Sequence, residues 1–164
     1  MSLSVGPSDA AKFSPECRRC LSAPGLRTFL ALAAEWDLTE EQQLRILGMP
    51  LVSTYRRWAK QARGERDLTL SVNVLMRISA VLGIYQALRV LCEGTDDVRD
   101  WLTGSYNGSI FQGRAPLAVI TSGSLDDLLN VRRFLEAGMQ GLYLEPDEND
   151  TGLAPIHDED IVWV

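Results

Sequence analysis

Between residues 70 and 91 apolar side chains recur at helical spacing. Val74, Ile78, Val81, Tyr85 and Leu88 form one stripe, and Leu75 and Leu82 widen it. So wide a stripe leaves little polar surface, so the helix it predicts has to be covered by the rest of the chain. The candidates to cover it are also helical. Leu26, Phe29, Leu30, Ala33 and Ala34 repeat at three and four residues. Thr39, with Gln42 three residues on, is a capping-box start, and Leu44 and Leu47 give that short helix an inner face before Gly48 stops it. Met49 and Pro50 then lead into residues 51–61, where Val52, Tyr55 and Trp58 fall on one side and Ser53, Arg56, Arg57 and Lys60 elsewhere. Thr95, with Asp96 and Asp97, has the residue types of a helix start, and Trp101 and Leu102 follow. Residues 104–115, with Gly104, Asn107, Gly108 and Gly113, are predicted as a loop. Pro116 opens a short helix that Gly123 closes, and Ser124 with Asp127 starts another on Leu128, Val131 and Leu135 that ends at Gly138. The expected class is all-α, with Leu26, Leu30, Leu44, Leu47, Trp58, Val74, Ile78, Val81, Trp101 and Leu135 as core. Residues 1–24, with Gly6, Pro7, Pro15 and Pro24, are expected to be a flexible lead-in. Residues 141–145 are expected to be short and extended, and residues 146–163 irregular.

At 164 residues the chain has room for one or two small domains. It contains no run of 18 apolar residues and no basic-then-apolar leader, and three cysteines do not make a disulfide framework. A cytoplasmic location away from the membrane is expected. The net charge of −6 conceals a division. Residues 51–66 carry Arg56, Arg57, Lys60, Arg63 and Arg66 against Glu65 alone, a net of +4. Residues 139–164 carry seven carboxylates and no Lys or Arg. Local charge sets the encounter with a polyanion, so this split points to two partners of opposite preference, or else to two solvated faces.

Catalytic chemistry finds no support. The single histidine, His157, lies among carboxylates with no nucleophile arranged around it, and the glycines of 104–113 lack the spacing of a phosphate loop or dinucleotide fingerprint. Cys17 and Cys20 form one C-x-x-C pair, whereas a structural zinc site takes four ligands. Asp126 and Asp127 are helical neighbours that point to different faces. No enzyme, metal or cofactor is expected. Binding fits better. A helix, a glycine-containing turn and a second helix bearing Ser53, Thr54, Arg56, Arg57 and Lys60 is how a helix-turn-helix presents side chains to the major groove. Arg can bond guanine edges bidentately, while Ser, Thr and Lys hold phosphates. An ordinary helical hairpin with a solvated basic face fits the same pattern, because the turn departs from the strictest helix-turn-helix spacing.

Residues 36–137 resemble the Xre/MbcA/ParS family of antitoxins. The resemblance is carried by Ser53-Thr-Tyr-Arg-Arg, Trp101-Leu102, Asn107 through Phe111, Gly113, Arg114, Pro116, Leu117, Gly123, Val131 and Leu135. Where that family places a basic residue near the start of the recognition helix, this chain has Tyr55, with Arg56 one residue later. The resemblance implies a helix-turn-helix domain at 25–92 and a toxin-binding domain with its tail at 93–164. It also implies a homodimer, a RES-domain toxin as partner, and operator DNA as a candidate second partner. RES toxins are similar to ADP-ribosyltransferases, so the implied role is inhibition by covering an NAD site. Arg114, Phe111, Gln112, Tyr143, Asp158, Glu159, Asp160, Trp163 and Val164 would face the toxin. A pocket built for a pyrophosphate should be rich in Arg, and carboxylates ending in apolar residues can fill it by charge-assisted bonds and burial of Trp163. A mere solubility tail is the alternative at that end. Two readings from other classes stand beside this one: a dimeric transcription repressor with no toxin, and a metal-dependent enzyme built on the Cys17–Cys20 pair.

Overall fold

The computed structural model describes residues 14–141, and over that range the chain is helical with no strand. The helices are α1 (Pro15–Glu35), α2 (Glu40–Ile46), α3 (Val52–Arg63), α4 (Val72–Leu91), α5 (Thr95–Thr103), α6 (Pro116–Ile120) and α7 (Leu125–Met139). As its wide stripe requires, α4 lies at the centre, packed by α1 and α7, while α3 lies on α1 and α6 joins α5 to α7. By length and composition α4 could cross a membrane. Its inner residues, Val74, Ile78, Ala80, Val81, Ile84, Ala87 and Leu88, instead fill one apolar core that runs without a break from Leu26 to Leu135. Residues 25–92 and the described part of the second stretch, 93–141, thus share a single interior.

Of the core residues expected from the sequence, Leu26, Leu44, Leu47, Val74, Ile78, Val81 and Leu135 are buried, and Leu30, Trp58 and Trp101 pack half-buried against them. Phe29, Ile46, Leu70, Ile84, Ile120 and Leu128 belong to the same interior.

Residues 15–24 are not a flexible lead-in, because α1 starts at Pro15 and continues through Pro24. Ser14 caps it by accepting the Cys17 N–H, and Pro15 occupies a first-turn position where no N–H is needed. An interior proline costs a helix about 3 kcal/mol, so neighbouring segments have to hold this one in place. They do so through polar bonds. The buried Ser22 hydroxyl donates to the Arg18 carbonyl at 2.6 Å and accepts the Leu70 N–H at 2.8 Å, while Arg27 donates to the Ala62 carbonyl of α3 at 3.0 Å. Residues 1–13, and the extended and irregular stretches expected beyond residue 141, lie outside the described residues.

The start of α5 also differs from expectation. Gly94 is its N-cap and Thr95 its first helical residue, and the carboxylate of Asp97 accepts the Glu93 N–H at 3.1 Å. Gly94 offers no side chain to cap the first turn, so the expected hydroxyl cap is not made, and Asp97 instead reaches back to fix the residue before the N-cap.

One buried cation ties α2 to the second half of the chain. Arg77 of α4 is 9% exposed, and its Nη1 donates to the carbonyls of Ile46 at 3.3 Å and Gly123 at 2.9 Å. Its Nε donates to Asn73 Oδ1 at 2.8 Å, and burial pulls the guanidinium below its ordinary pKa. Gly48 packs on this group, where a Cβ would stand 3.0 Å from Nε. With φ at +87°, that position requires glycine on two counts.

Candidate nucleic-acid interface

The turn between α2 and α3 is set by backbone bonds. The Gly48 N–H reaches the Arg45 carbonyl at 3.1 Å and the Met49 N–H reaches Leu44 at 2.8 Å, the paired bonds of a Schellman ending. Pro50 and Leu51 then redirect the chain into α3. That helix buries Tyr55, Ala59 and Ala62. The stripe differs from the expected Val52, Tyr55 and Trp58. Two alanines let α3 approach α1 closely, which turns Val52 outward to 42% exposure and leaves Trp58 at the edge.

The opposite face carries the expected side chains. Ser53, Arg56, Arg57 and Lys60 are exposed and Thr54 is half-buried. Arg63 extends the row one turn beyond Lys60, and was legible only as part of the basic window. These cations are not equivalent. Arg56 is gripped at two points by Glu40 from the first turn of α2, Nε to Oε2 at 3.1 Å and Nη2 to Oε1 at 2.8 Å. The bonded guanidinium holds the Glu40 carboxyl below the usual carboxylate range, and Glu40 in turn raises Arg56. By contrast, Arg57, Lys60 and Arg63 have no ion-pair partner among the described residues. A groove of about 440 Å³ runs between α2 and α3, lined by Glu40, Gln43, Tyr55, Arg56, Lys60 and Arg63. At its floor the Tyr55 hydroxyl donates to Gln43 Oε1. Burial raises this phenol above its ordinary pKa, Glu40 adds to the rise and Arg63 opposes it.

Glu40 therefore withholds one cation from a polyanion. Because its folded pKa is depressed, the pair is intact at neutral pH, and its contribution is lost as pH falls through that lowered value. Glu40→Gln should release Arg56, tighten duplex binding about five- to tenfold at 0.1 M salt, and steepen the salt dependence by about one unit. Fluorescence anisotropy across a salt series reads both quantities, and an unchanged slope would mean that Arg56 does not reach phosphate.

The second group of expected residues surrounds the glycine loop. Phe111 is 1% exposed and meets Phe134 edge-on at 5.2 Å and Trp101 at 5.9 Å. It is a core residue and not a surface contact, because the loop closes over it through Gly113 N–H to the Tyr106 carbonyl at 2.8 Å and Gln112 N–H to Gly108 at 2.8 Å. Gln112 and Arg114 remain exposed on the outer side, and Arg114 Nε donates to the Phe111 carbonyl at 3.2 Å. Gln112 adopts φ +51°, a strained value for a side-chain-bearing residue. Tyr143, Asp158, Glu159, Asp160, Trp163 and Val164 lie outside the described residues.

A short capped helix, a glycine-closed turn, and a second helix with its cations outward on a shared core define a helix-turn-helix protein. Residues 21–83 match the antitoxin Xre-like helix-turn-helix domain, a span from within α1 to within α4. Over 116 residues the chain is 32% identical to the uncharacterized protein y4oB of Sinorhizobium fredii (strain NBRC 101917 / NGR234), covering 71% of this chain and 84% of that protein. No solved structure is a significant match. The chain therefore carries an antitoxin Xre-like helix-turn-helix domain over residues 21–83 and is related to y4oB over most of its length.

Proposed function

We propose that this chain is the cytoplasmic antitoxin of a RES-domain toxin, that it neutralises the toxin by covering its NAD site, and that it represses its own operon as a homodimer. The observation that carries the reading is the row Arg57, Lys60 and Arg63, without ion-pair partners among the described residues, on the second helix of a domain that matches an antitoxin family. In this division of labour residues 25–92 read DNA and residues 93–164 hold the toxin. Exposed Gln112 and Arg114 offer directional donors at the loop, and the seven carboxylates of residues 139–164 suit an Arg-rich pyrophosphate pocket. The regulator needs no cofactor, since its effect comes from occupying another protein's site.

The test is co-expression with the product of the adjacent gene, followed by native purification and an NAD-consumption assay. Copurification is expected, with the toxin inactive in the complex. Replacing Asp158, Glu159 and Asp160 with alanine should raise the neutralising concentration about ten- to a hundredfold, the equivalent of one lost charge-assisted bond. Equal protection by that variant would show that the acidic end is not the plug. A second reading, a dimeric repressor without a toxin, is favoured by the domain match falling on the helix-turn-helix. Purification that recovers operator DNA and no second protein would establish it.

A further inference from the structure

The first turn of α3 is unlike the rest of its outer face. Leu51 is 75% exposed and Val52 42%, and Met49 before them is 62% exposed. Leu51 also stands at the N-cap, where no side chain accepts a first-turn N–H. Ser, Thr, Asp or Asn there would cap the helix and stabilise it, so an alkyl group in water costs stability at this position. Immediately beyond it come Ser53, Arg57 and Lys60, whose groups suit phosphates and base edges.

Resting on the DNA-binding reading above, we infer that Leu51 and Val52 read the C5-methyl groups of thymine. When a recognition helix enters the major groove, its N-terminal residues are the ones that meet base edges. The thymine methyl is the apolar group displayed on that floor, so exposed alkyl side chains leading a basic helix have one complementary surface in duplex DNA. The cations farther along the helix hold the backbone and fix the depth of entry. Sequence preference then comes from burying methyl groups against Leu51 and Val52, added to whatever Arg57 contributes at guanine.

The test uses the full chain and the 250-base-pair fragment upstream of its own coding sequence, amplified once with thymidine and once with deoxyuridine triphosphate, which lacks the methyl. The wild-type chain should bind the uracil duplex about 5- to 20-fold more weakly, with the same salt slope. Leu51→Ser with Val52→Ser should bind both duplexes equally, again with the slope unchanged. Both positions are exposed, and thermal melts confirm that the variant is folded. Equal wild-type affinity for the two duplexes, with a salt slope present, overturns methyl reading and leaves DNA binding standing. No salt-dependent binding to either duplex overturns the DNA reading itself. A change in sedimentation coefficient for the variant without DNA, coupled with equal affinity of the wild-type chain for the two duplexes, overturns the proposal in favour of self-association.

Discussion

Replacing Arg57, Lys60 and Arg63 together with alanine is expected to weaken duplex binding about 10²- to 10³-fold at 0.1 M salt. The reasoning is electrostatic. Each cation that meets a phosphate releases condensed counterions and contributes about 0.9 to the slope of log affinity against log salt, so three should flatten it by about 2.7. None of the three has an ion-pair partner to lose among the described residues, whereas removing Arg56 would also uncover Glu40 and mix two effects. All three side chains are exposed, so the melting temperature should hold within the small range of surface substitutions. An unchanged slope in a folded variant would remove nucleic-acid binding from α3. The row would then be a solvated face.

Phe111→Ala is expected to destabilise the fold by about 3–5 kcal/mol, because a buried ring is lost and a cavity remains between Trp101 and Phe134. At about 2–4 °C per kcal/mol for a chain of this size, thermal unfolding should fall by roughly 6–20 °C. Gln112→Ala and Arg114→Ala, on the exposed side of the same loop, should stay within about 0.5 kcal/mol of the parent. Thermal and urea unfolding read the contrast. If Phe111→Ala melts with the parent, its ring does not anchor the loop. If Arg114→Ala melts as far below the parent as Phe111→Ala, Arg114 acts as a structural latch through the Phe111 carbonyl instead of as a contact offered to a partner.

Much of this architecture could be read from local chemistry. Thr39 and Gln42 bond reciprocally as a capping box, and the α4 stripe is buried. The positions read as DNA contacts are outward on α3, Thr54 partly so. What could not be read depends on partners distant in sequence. Pro24 signals a break until Ser22 and Leu70, 48 residues apart, are seen to hold α1 in place. Val52 looks apolar enough for the interior, but the depth of approach at Ala59 and Ala62 decides which way the helix is turned. Phe111 sits among glycines, the composition of a surface loop, and only the three rings around it make it core. Glu40 gave no sign of restraining Arg56, because a fork between two helices needs the angle of the turn as well as the residue types.

The guanidinium of Arg77 has a consequence for how the chain can be divided. A fragment stopped at residue 91 would retain all of α1 to α4, and so the whole helix-turn-helix. It would nevertheless lose the Gly123 acceptor and bare the flank of α4 that α7 now shields from water. The DNA-reading portion is therefore not severable: its own long helix is finished only by residues that come after it, and truncation there would yield a sticky remnant instead of a minimal repressor.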